Sequence, residues 1–218
     1  MTEPFDISRY AAAVFDLDGT VWLSEQPVPG ALDFLARLRD HRLTVTFATN
    51  ATAFSVEHIT QLLIECGLGR EGDGVVTGGS VVSRSLAEFG VREVVGIAPP
   101  AMAAAIEAEG IAFLDTPIGA PDAEWCAPSP ERALVMGASR SATFGAVERV
   151  GHLTTYGHPL YVTSLDPGFP ALGRIEPGGG MLVAALRALY PVEPYVLGKP
   201  SREYADVVRS LLRTGGPV

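Results

Sequence analysis

Two aspartates one residue apart are the residues of this chain best suited to chemistry. Asp16 and Asp18 follow a short run of uncharged residues, and Gly19 comes directly after them in the stretch AAAVFDLDGT. In an extended backbone both carboxylates point the same way, and glycine lets the chain turn sharply. One carboxylate could attack phosphorus, the other could transfer protons, and a hard cation could offset the charge that repels a phosphate. The pattern suits covalent phosphoryl transfer, although a strand that ends in a solvated acidic turn fits the same residues.

A threonine and a lysine extend this candidate site. Thr49 and Asn50 end the apolar stretch LTVTFATN, where a hydroxyl, nearby amides and a following helix could bind phosphate. Alternatively, Thr49 only closes a strand. Lys199 is the one lysine beside fifteen arginines. This preference for arginine elsewhere indicates that position 199 needs a compact ammonium, although the same numbers could arise by chance.

The first fifty residues predict how these groups meet. A buried strand precedes Asp16, an amphipathic helix follows at about 31–40, and a second strand covers 43–50. Such a unit is right-handed and places both strand ends at one edge of the sheet, where open α/β folds bind their ligands. We therefore expect Thr49 beside Asp16. Residues 21–29 are predicted to be a loop.

The rest of the chain repeats the alternation of strands and helices. A second α/β module is predicted from about residue 91, and residues 115–131 are predicted to be an exposed loop. His158 is expected at a surface or capping position. A strand at 195–197 would deliver Lys199 to the site, and a final helix is predicted from Ser201 to about Leu212.

Composition limits the class of protein. The 218 residues are 47% hydrophobic, which is enough for a full core, and the formal net charge of −9 argues against nucleic-acid or anionic-membrane partners. The two cysteines form no metal or disulfide pattern. The N-terminus lacks a secretory pattern and no apolar run reaches membrane-spanning length, so a cytoplasmic protein is expected.

Three motifs together resemble one family. DLDGTVW, at Asp16 to Trp22, resembles motif one of the haloacid dehalogenase superfamily, and its DGTVW form is similar to the NagD-like, 4-nitrophenylphosphatase branch. Thr49-Asn50-Ala51 is similar to the second motif, which usually reads TNN. Gly198-Lys199-Pro200 matches the third.

This resemblance implies a fold and a division of the chain. The fold would be α/β, with a Rossmann-like parallel-sheet core at 1–89 and 196–218 and an inserted α/β C2-type cap at 90–195. It would be incomplete at its C-terminal end. Caps of this type often contribute to dimers, so a homodimer through the cap is an expectation.

The resemblance also implies roles for the site residues. Asp16 would be the nucleophile and Asp18 the general acid and base of a phosphatase acting on a small phosphorylated metabolite. Both would hold Mg²⁺, which is the expected cofactor. The phosphate would be bound by Leu17, Thr49, Asn50 and Lys199.

Residues 167–180 are predicted to be a long loop with a role in substrate selection. In NagD-like proteins a D-P-x-x-P loop of the cap faces the active site, and Asp166, Pro167 and Pro170 match that pattern. Asp166 and Phe169 are the expected specificity residues. A rigid proline-rich loop without substrate contacts is the alternative.

The fourth motif of the family, an acidic pair on a later strand, has no counterpart after Lys199 in this sequence. Asp206 falls inside the last predicted helix. Weaker metal binding and impaired phosphatase activity are therefore expected. The alternative function is a catalytically silent phosphate-binding or interaction module. A dehydrogenase is disfavoured because the glycine fingerprint of dinucleotide sites is missing.

Overall fold

The structure is a computed structural model that describes residues 6–115 and 125–212. A 3-10 turn at Ile7–Arg9 precedes the first strand. The elements of the first part are β1 (Ala12–Phe15), β2 (Trp22–Leu23), β3 (Gln26–Pro27), α1 (Ala31–Asp40), β4 (Thr44–Thr49), α2 (Val56–Glu65), β5 (Gly74–Thr77) and α3 (Gly78–Glu88). Those of the second part are β6 (Glu93–Ile97), α4 (Pro100–Ala108), β7 (Ala112–Asp115), β8 (Arg132–Met136), α5 (Phe144–Thr154), β9 (Leu160–Val162), β10 (Gly168–Ala171), β11 (Arg174–Pro177), α6 (Gly179–Arg187), β12 (Tyr195–Val196) and α7 (Arg202–Leu211).

A three-stranded parallel sheet carries the N-terminal motifs. Its order is β1-β4-β5, with Phe15 opposite Phe47 and Thr49 opposite Thr77. The three strands therefore end at one edge, as the predicted βαβ unit requires. The predicted helix at 31–40 and the strand that ends at Thr49 are confirmed.

Apolar packing fixes this sheet against its helices. Phe47 and Leu17 have no exposed surface, and Leu35 of α1 and Ile59 and Leu63 of α2 join them in one core cluster. The spacing of Leu35 and Leu38, and of Ile59 and Leu63, places each pair on one helix face. This packing holds the end of β1 rigidly below the loop that carries the two aspartates.

The second sheet has five parallel strands in the order β12-β9-β8-β6-β7. Its strands are short and mostly buried, as expected for a parallel sheet covered by helices. Both sheets confirm the predicted mixed α/β class. β12 crosses the predicted junction at 195–196 and pairs with β9, and the division into core and cap remains a proposal.

Two predicted loops contain antiparallel hairpins. Within 21–29, β2 pairs with β3 through a turn at Ser24 and Glu25, both with positive φ. Within 167–180, β10 pairs with β11, and Gly173 at φ +72° forms the turn. The prediction of unstructured loops was wrong because short strands rich in glycine and proline lack the apolar alternation that indicates a strand.

The predicted exposed loop at 115–131 lies partly outside the described residues. Within the described part, Trp125 is buried and stacks on His158 at 4.9 Å between ring centroids. His158 is also buried, and its Nε2 lies 2.9 Å from the carbonyl oxygen of Trp125. The expectation of a surface or capping histidine was wrong. None of the described helices combines the length and the apolar composition needed to cross a bilayer.

Candidate active site

The turn after β1 fixes the two aspartates. The carbonyl of Leu17 accepts the backbone N–H groups of Thr20, Val21 and Trp22 at 3.0, 3.1 and 3.2 Å. Gly19 has φ +80°, which glycine adopts without steric cost, and its N–H donates to the Trp22 carbonyl at 2.8 Å. The side chain of Leu17 is fully buried in the core. The loop is therefore anchored from within, while Asp16 and Asp18 face outwards.

Thr49 ends β4 beside this turn. Its hydroxyl donates to Oδ2 of Asp18 at 3.4 Å and accepts the N–H of Ala51 at 3.0 Å. The hydroxyl is thus oriented at the edge of the sheet beside an acidic group. The predicted proximity of the first and second motifs is observed.

Lys199 reaches the same edge from the other end of the chain. Its Nζ donates to Oδ1 of Asp16, and to the carbonyl oxygen of Ala48 at 2.7 Å. The Lys199 side chain is 29% exposed and that of Asp16 is 46% exposed. The pair is therefore held in place and still accessible to a ligand from solvent.

The backbone around Lys199 is closely packed. The Lys199 N–H donates to Oδ1 of Asn50 at 2.7 Å, and Nδ2 of Asn50 donates to the Lys199 carbonyl at 3.4 Å. At Gly198, an added Cβ would lie 1.8 Å from the Thr163 carbonyl oxygen and 2.6 Å from Oδ1 of Asn50. Only glycine fits there, because a Cβ essentially never approaches another heavy atom so closely.

Helix α7 helps to hold the strand ends that carry the site. The Ser201 side chain caps the helix by accepting the N–H of Tyr204 at 3.1 Å. The buried hydroxyl of Tyr204 lies 2.9 Å from both the Thr49 and Val76 carbonyl oxygens. The Tyr204 pKa is raised by burial and by the nearby charge of Asp16. The phenol therefore stays protonated and ties α7 to the ends of β4 and β5.

The environment of Asp18 differs from that of Asp16. Burial raises the pKa of Asp18, and the charge of Asp16 raises it further. Hydrogen bonds from Trp22 and Thr49 and the charge of Lys199 oppose this rise. A carboxyl with a raised pKa beside a second aspartate is the arrangement expected of a general acid next to a nucleophile.

The β10–β11 hairpin reaches over the aspartate turn. Cγ of Pro170 lies 3.3 Å from the position that a Cβ would take at Gly19, and the Leu172 N–H donates to Oγ of Ser24 at 2.9 Å. Phe169 lies next to Pro170 and is 40% exposed. The hairpin therefore contacts the loop of the first motif and the β2–β3 turn.

Asp166 lies at the base of this hairpin. Its Oδ2 accepts the Ser164 hydroxyl at 2.7 Å, and its carbonyl accepts the N–H of Gly180 at 3.0 Å. Among the described residues, no hydrogen bond joins Asp166 to Asp16, Asp18 or Lys199. The structure therefore brings together Asp16, Asp18, Thr49 and Lys199 directly, while Asn50 is linked to them through the Lys199 backbone.

A metal at this site would depend on few ligands. Among the residues that the structure describes, no group of three or more histidine, cysteine, aspartate or glutamate side chains is placed to hold an ion. The Asp16 carboxylate and the Asp18 backbone carbonyl offer hard oxygen donors, and the Asp16 side chain is 46% exposed. Oxygen donors of this kind fit Mg²⁺, with water completing its coordination.

Sequence reasoning did not assign a role to Trp22, Ser24, Gly198 or Tyr204. Trp22 donates its indole N–H to Oδ1 of Asp18 at 3.0 Å. Trp22 is the last residue of the motif DLDGTVW, on which the family resemblance depends, and this position was the available indication of a role. The roles of Ser24 and Tyr204 depend on contacts with distant parts of the chain, which no local pattern indicates.

Comparison with known proteins agrees with this geometry. A family model described as haloacid dehalogenase-like hydrolase matches residues 13–112, which include the aspartate turn and Thr49. Over this part the chain is similar to haloacid dehalogenase-like hydrolases. The matched residues end before Lys199. The assignment of the third motif therefore depends on the structure, in which Lys199 contacts Asp16 of the first motif.

Curated proteins that the chain resembles are named as phosphatases. D-glycerol 3-phosphate phosphatase of Mycobacterium tuberculosis is 29% identical over 188 residues, which cover 86% of this chain and 50% of the relative. Dihydroxyacetone phosphatase of Corynebacterium glutamicum is 26% identical, covering 92% of this chain and 68% of the relative. The chain thus spans half of the first relative and about two thirds of the second.

Solved structures show the same fold. The 4-nitrophenylphosphatase of Thermotoga maritima has a TM-score of 0.78 at 23% identity, covering 94% of this chain and 74% of that one. A glycerol phosphate phosphatase of Mycobacterium tuberculosis in complex with magnesium has a TM-score of 0.77 at 26% identity, covering 94% of this chain and 60% of that one. A putative nagD protein, at 24% identity and a TM-score of 0.78, extends the likeness of fold to the NagD-like branch.

Proposed function

We propose that this chain carries the catalytic groups of a magnesium-dependent phosphatase for a small phosphorylated metabolite. The observation that carries the proposal is the meeting of Asp16, Asp18, Thr49 and Lys199 at one sheet edge. The relatives bear the names of glycerol-phosphate and dihydroxyacetone phosphatases, which supports a phosphorylated polyol or a similar small molecule as the substrate.

In the first step, a carboxylate oxygen of Asp16 attacks phosphorus. Lys199 engages Oδ1, so Oδ2 is the oxygen free to form the new bond. The bond between phosphorus and the leaving oxygen breaks, and Asp18 donates a proton to that oxygen. An alcohol leaves, and an aspartyl-phosphate remains on Asp16.

In the second step, Asp18 accepts a proton from a water molecule that attacks the aspartyl-phosphate. The bond between phosphorus and Asp16 breaks, and inorganic phosphate is released. The same residue thus serves as acid and then as base, as a reaction that returns the enzyme to its starting state requires.

Thr49 and Lys199 would bind the phosphoryl oxygens during both steps. The Thr49 hydroxyl donates to Asp18 and the Lys199 ammonium donates to Asp16, so each aspartate has a phosphate-binding donor beside it. Both polar atoms of the Asn50 side chain contact the Lys199 backbone, so we assign Asn50 to positioning Lys199. The Leu17 side chain is buried, so its proposed contact with phosphate would come from the backbone.

Mg²⁺ would be held by the Asp16 carboxylate and the Asp18 backbone carbonyl and would supply positive charge against the phosphate oxygens. Asp166 and Phe169 remain proposed specificity residues. The contact of Pro170 with the aspartate turn supports a role for the hairpin that contains them.

The test is phosphate release from 4-nitrophenyl phosphate with and without Mg²⁺. We expect Asp16→Asn to abolish the burst of 4-nitrophenol and to reduce turnover by on the order of a thousandfold or more. Asp33→Asn, an exposed acid in the first turn of α1, is the matched control and should keep full activity. Equal turnover of the Asp16→Asn variant and the wild type would eliminate the covalent mechanism.

The same assay tests the second function, a silent phosphate-binding module. The small number of carboxylates near the site favours it. It predicts binding of inorganic phosphate with no turnover at any Mg²⁺ concentration. The impaired activity expected from the sequence is intermediate between full turnover and no turnover. It would appear as slow turnover that needs a high Mg²⁺ concentration.

Two further expectations stay predictions. A homodimer formed through the cap would be detected from the mass of the protein in solution. Cytoplasmic location would be detected by fractionation of cells that produce the protein.

A further inference from the structure

The two carboxylate oxygens of Asp18 have different partners. Oδ1 accepts the indole N–H of Trp22 at 3.0 Å, and Oδ2 accepts the hydroxyl of Thr49 at 3.4 Å. Thr49 is a proposed phosphate-binding residue, so Oδ2 is the oxygen on the phosphate side. The carboxyl group is therefore held in one orientation by two donors.

Trp22 is rigidly placed for this contact. Its side chain is 3% exposed and packs in the first core cluster. Its backbone N–H donates to the Leu17 carbonyl at 3.2 Å, and its carbonyl accepts the N–H of Gly19 at 2.8 Å. These bonds fix the backbone of the turn on both sides of Asp18, and the buried indole is held next to the carboxyl group.

The chemistry of the indole decides which oxygen can carry the acidic proton. An indole N–H is only a donor, so the oxygen that faces it must be an acceptor whether Asp18 is ionised or protonated. Oδ1 is therefore always the acceptor, and the proton resides on Oδ2. A carboxyl free to rotate would place its proton on the phosphate side only part of the time.

From this geometry we infer that Trp22 is a positioning residue for proton transfer by Asp18. It orients the carboxyl so that Oδ2 delivers the proton to the leaving oxygen and later accepts the proton of the attacking water. The inference rests on the proposed phosphatase function. It adds a residue to which neither the sequence motifs nor the comparisons assign a role.

Trp22 could otherwise be a buried side chain with only a packing role. The two roles differ in how the effect of a substitution depends on the leaving group. A phenolate such as 4-nitrophenolate leaves with little need of a proton, whereas an alkoxide needs one. Loss of packing would slow both reactions alike.

The experiment compares Trp22→Phe with the wild type on 4-nitrophenyl phosphate and on glycerol 3-phosphate. Release of the alcohol is measured in a single turnover, because the later hydrolysis of the aspartyl-phosphate is common to both substrates. We expect a loss of about 10- to 100-fold on glycerol 3-phosphate, since general acid catalysis contributes about 10²–10⁴-fold. The loss on 4-nitrophenyl phosphate should be less than about threefold.

A double-mutant cycle with Asp18→Asn shows whether Trp22 acts through Asp18. In the Asp18→Asn background, Trp22→Phe should cause no further loss on glycerol 3-phosphate. Trp125→Phe, the other buried tryptophan, is the matched control and should leave both rates unchanged. Equal losses on the two substrates, or losses that multiply in the double variant, would overturn the inference.

A second measurement covers the case in which Trp22→Phe does not fold. The indole N–H resonances of ¹⁵N-labelled protein are two in number and are assigned with Trp125→Phe. Asp18→Asn should shift the Trp22 resonance and leave that of Trp125 in place. An unchanged Trp22 resonance would contradict the inference. Failure of the phosphatase function itself is recognised separately, because the wild type would then show no turnover at any Mg²⁺ concentration while the Trp22 resonance could still respond to Asp18→Asn.

Discussion

Both polar atoms of the Asn50 side chain form hydrogen bonds with the backbone of Lys199, although the two residues are 149 positions apart. Oδ1 of Asn50 accepts the Lys199 N–H at 2.7 Å, and Nδ2 donates to the Lys199 carbonyl at 3.4 Å. This contact joins the end of β4 to the segment before α7. The second and third motifs therefore position each other, and the ammonium of Lys199 is placed by a side chain that need not touch the substrate.

The first prediction concerns this contact. Asn50→Ala removes both hydrogen bonds and should lower kcat/KM about 10- to 100-fold, which corresponds to about 1.4–2.8 kcal/mol of lost transition-state stabilisation. Steady-state kinetics with an aryl phosphate measure the change. Because Asn50 acts through Lys199, the effect should largely disappear in a Lys199→Ala background. Full additivity of the two substitutions would show that Asn50 contributes independently of the lysine.

The second prediction concerns the type of cation. Lys199→Arg keeps the charge, but a planar guanidinium cannot reproduce the contacts of one compact ammonium with Asp16 and the Ala48 carbonyl. We expect weaker inhibition by inorganic phosphate and a KM raised by about tenfold or more. Equal phosphate inhibition of the two forms would indicate that the ammonium does not bind phosphate.

The third prediction concerns Gly198. A Cβ at this position would lie 1.8 Å from the Thr163 carbonyl oxygen, so Gly198→Ala must displace the chain before Lys199. We expect a loss of about 1–3 kcal/mol in the free energy of unfolding and a marked loss of activity. The control is Gly79→Ala in α3, where the new Cβ would lie 3.6 Å from Met102 in ordinary contact. This control should be neutral or stabilise the protein by about 0.5–1 kcal/mol.

The sequence was sufficient to predict the edge of the sheet where the site forms. A right-handed βαβ unit places Asp16 and Thr49 side by side, and the observed register of β1 and β4 does so. The final helix was also predictable to within a residue of its ends, although Ser201 caps the helix and does not belong to it. These features depend on local patterns and on the handedness of the chain.

What could not be predicted depends on distant contacts. The turn at Ser24 and Glu25 adopts positive φ without glycine, so the usual signal of a hairpin turn is missing. Trp125 and His158 are buried against each other across 33 residues, and neither lies in a periodic apolar pattern. Such features depend on tertiary packing, which overrides local sequence preference.

The fourth prediction concerns the contact between the two hairpins. Ser24→Ala removes the acceptor of the Leu172 N–H and should weaken the hold of the β10–β11 hairpin over the aspartate turn. A hydrogen bond contributes about 0.5–1.5 kcal/mol, so KM should rise about 2- to 10-fold with a smaller change in kcat.

The positive φ of Ser24 needs its own control. Ser24→Gly relieves the backbone and also removes the hydroxyl, so it should share the rise in KM. Ser24→Asn tolerates the same φ and offers a new acceptor, so it should recover part of the loss. If KM depends on how well the residue at position 24 tolerates positive φ, and not on whether its side chain offers an acceptor, the role of the hydrogen bond is contradicted.

The fifth prediction concerns how much the ionised, partly buried carboxylate of Asp18 lowers the free energy of unfolding. Its pKa is raised by burial and by the charge of Asp16, which outweigh the opposing hydrogen bonds from Trp22 and Thr49. Between the unfolded and the raised folded pKa, the folded protein binds more protons than the unfolded chain. Stability must therefore fall as the pH rises through that window, and the full cost is present above the folded pKa.

Asp18→Asn removes the charge and keeps an oxygen that can accept the Trp22 indole N–H. We expect this variant to unfold at a higher temperature than the wild type at pH 7. The difference should shrink as the pH falls through the raised pKa of folded Asp18, and the shrinkage should be complete below about 4, the ordinary pKa of an aspartate. Thermal unfolding of both proteins across this pH range measures it, and Asp33→Asn should show no comparable gain. An Asp18→Asn variant that is less stable than the wild type at pH 7 would mean that the carboxylate is stabilised in the fold. In that case Asp18 would be better suited to binding a cation than to supplying a proton.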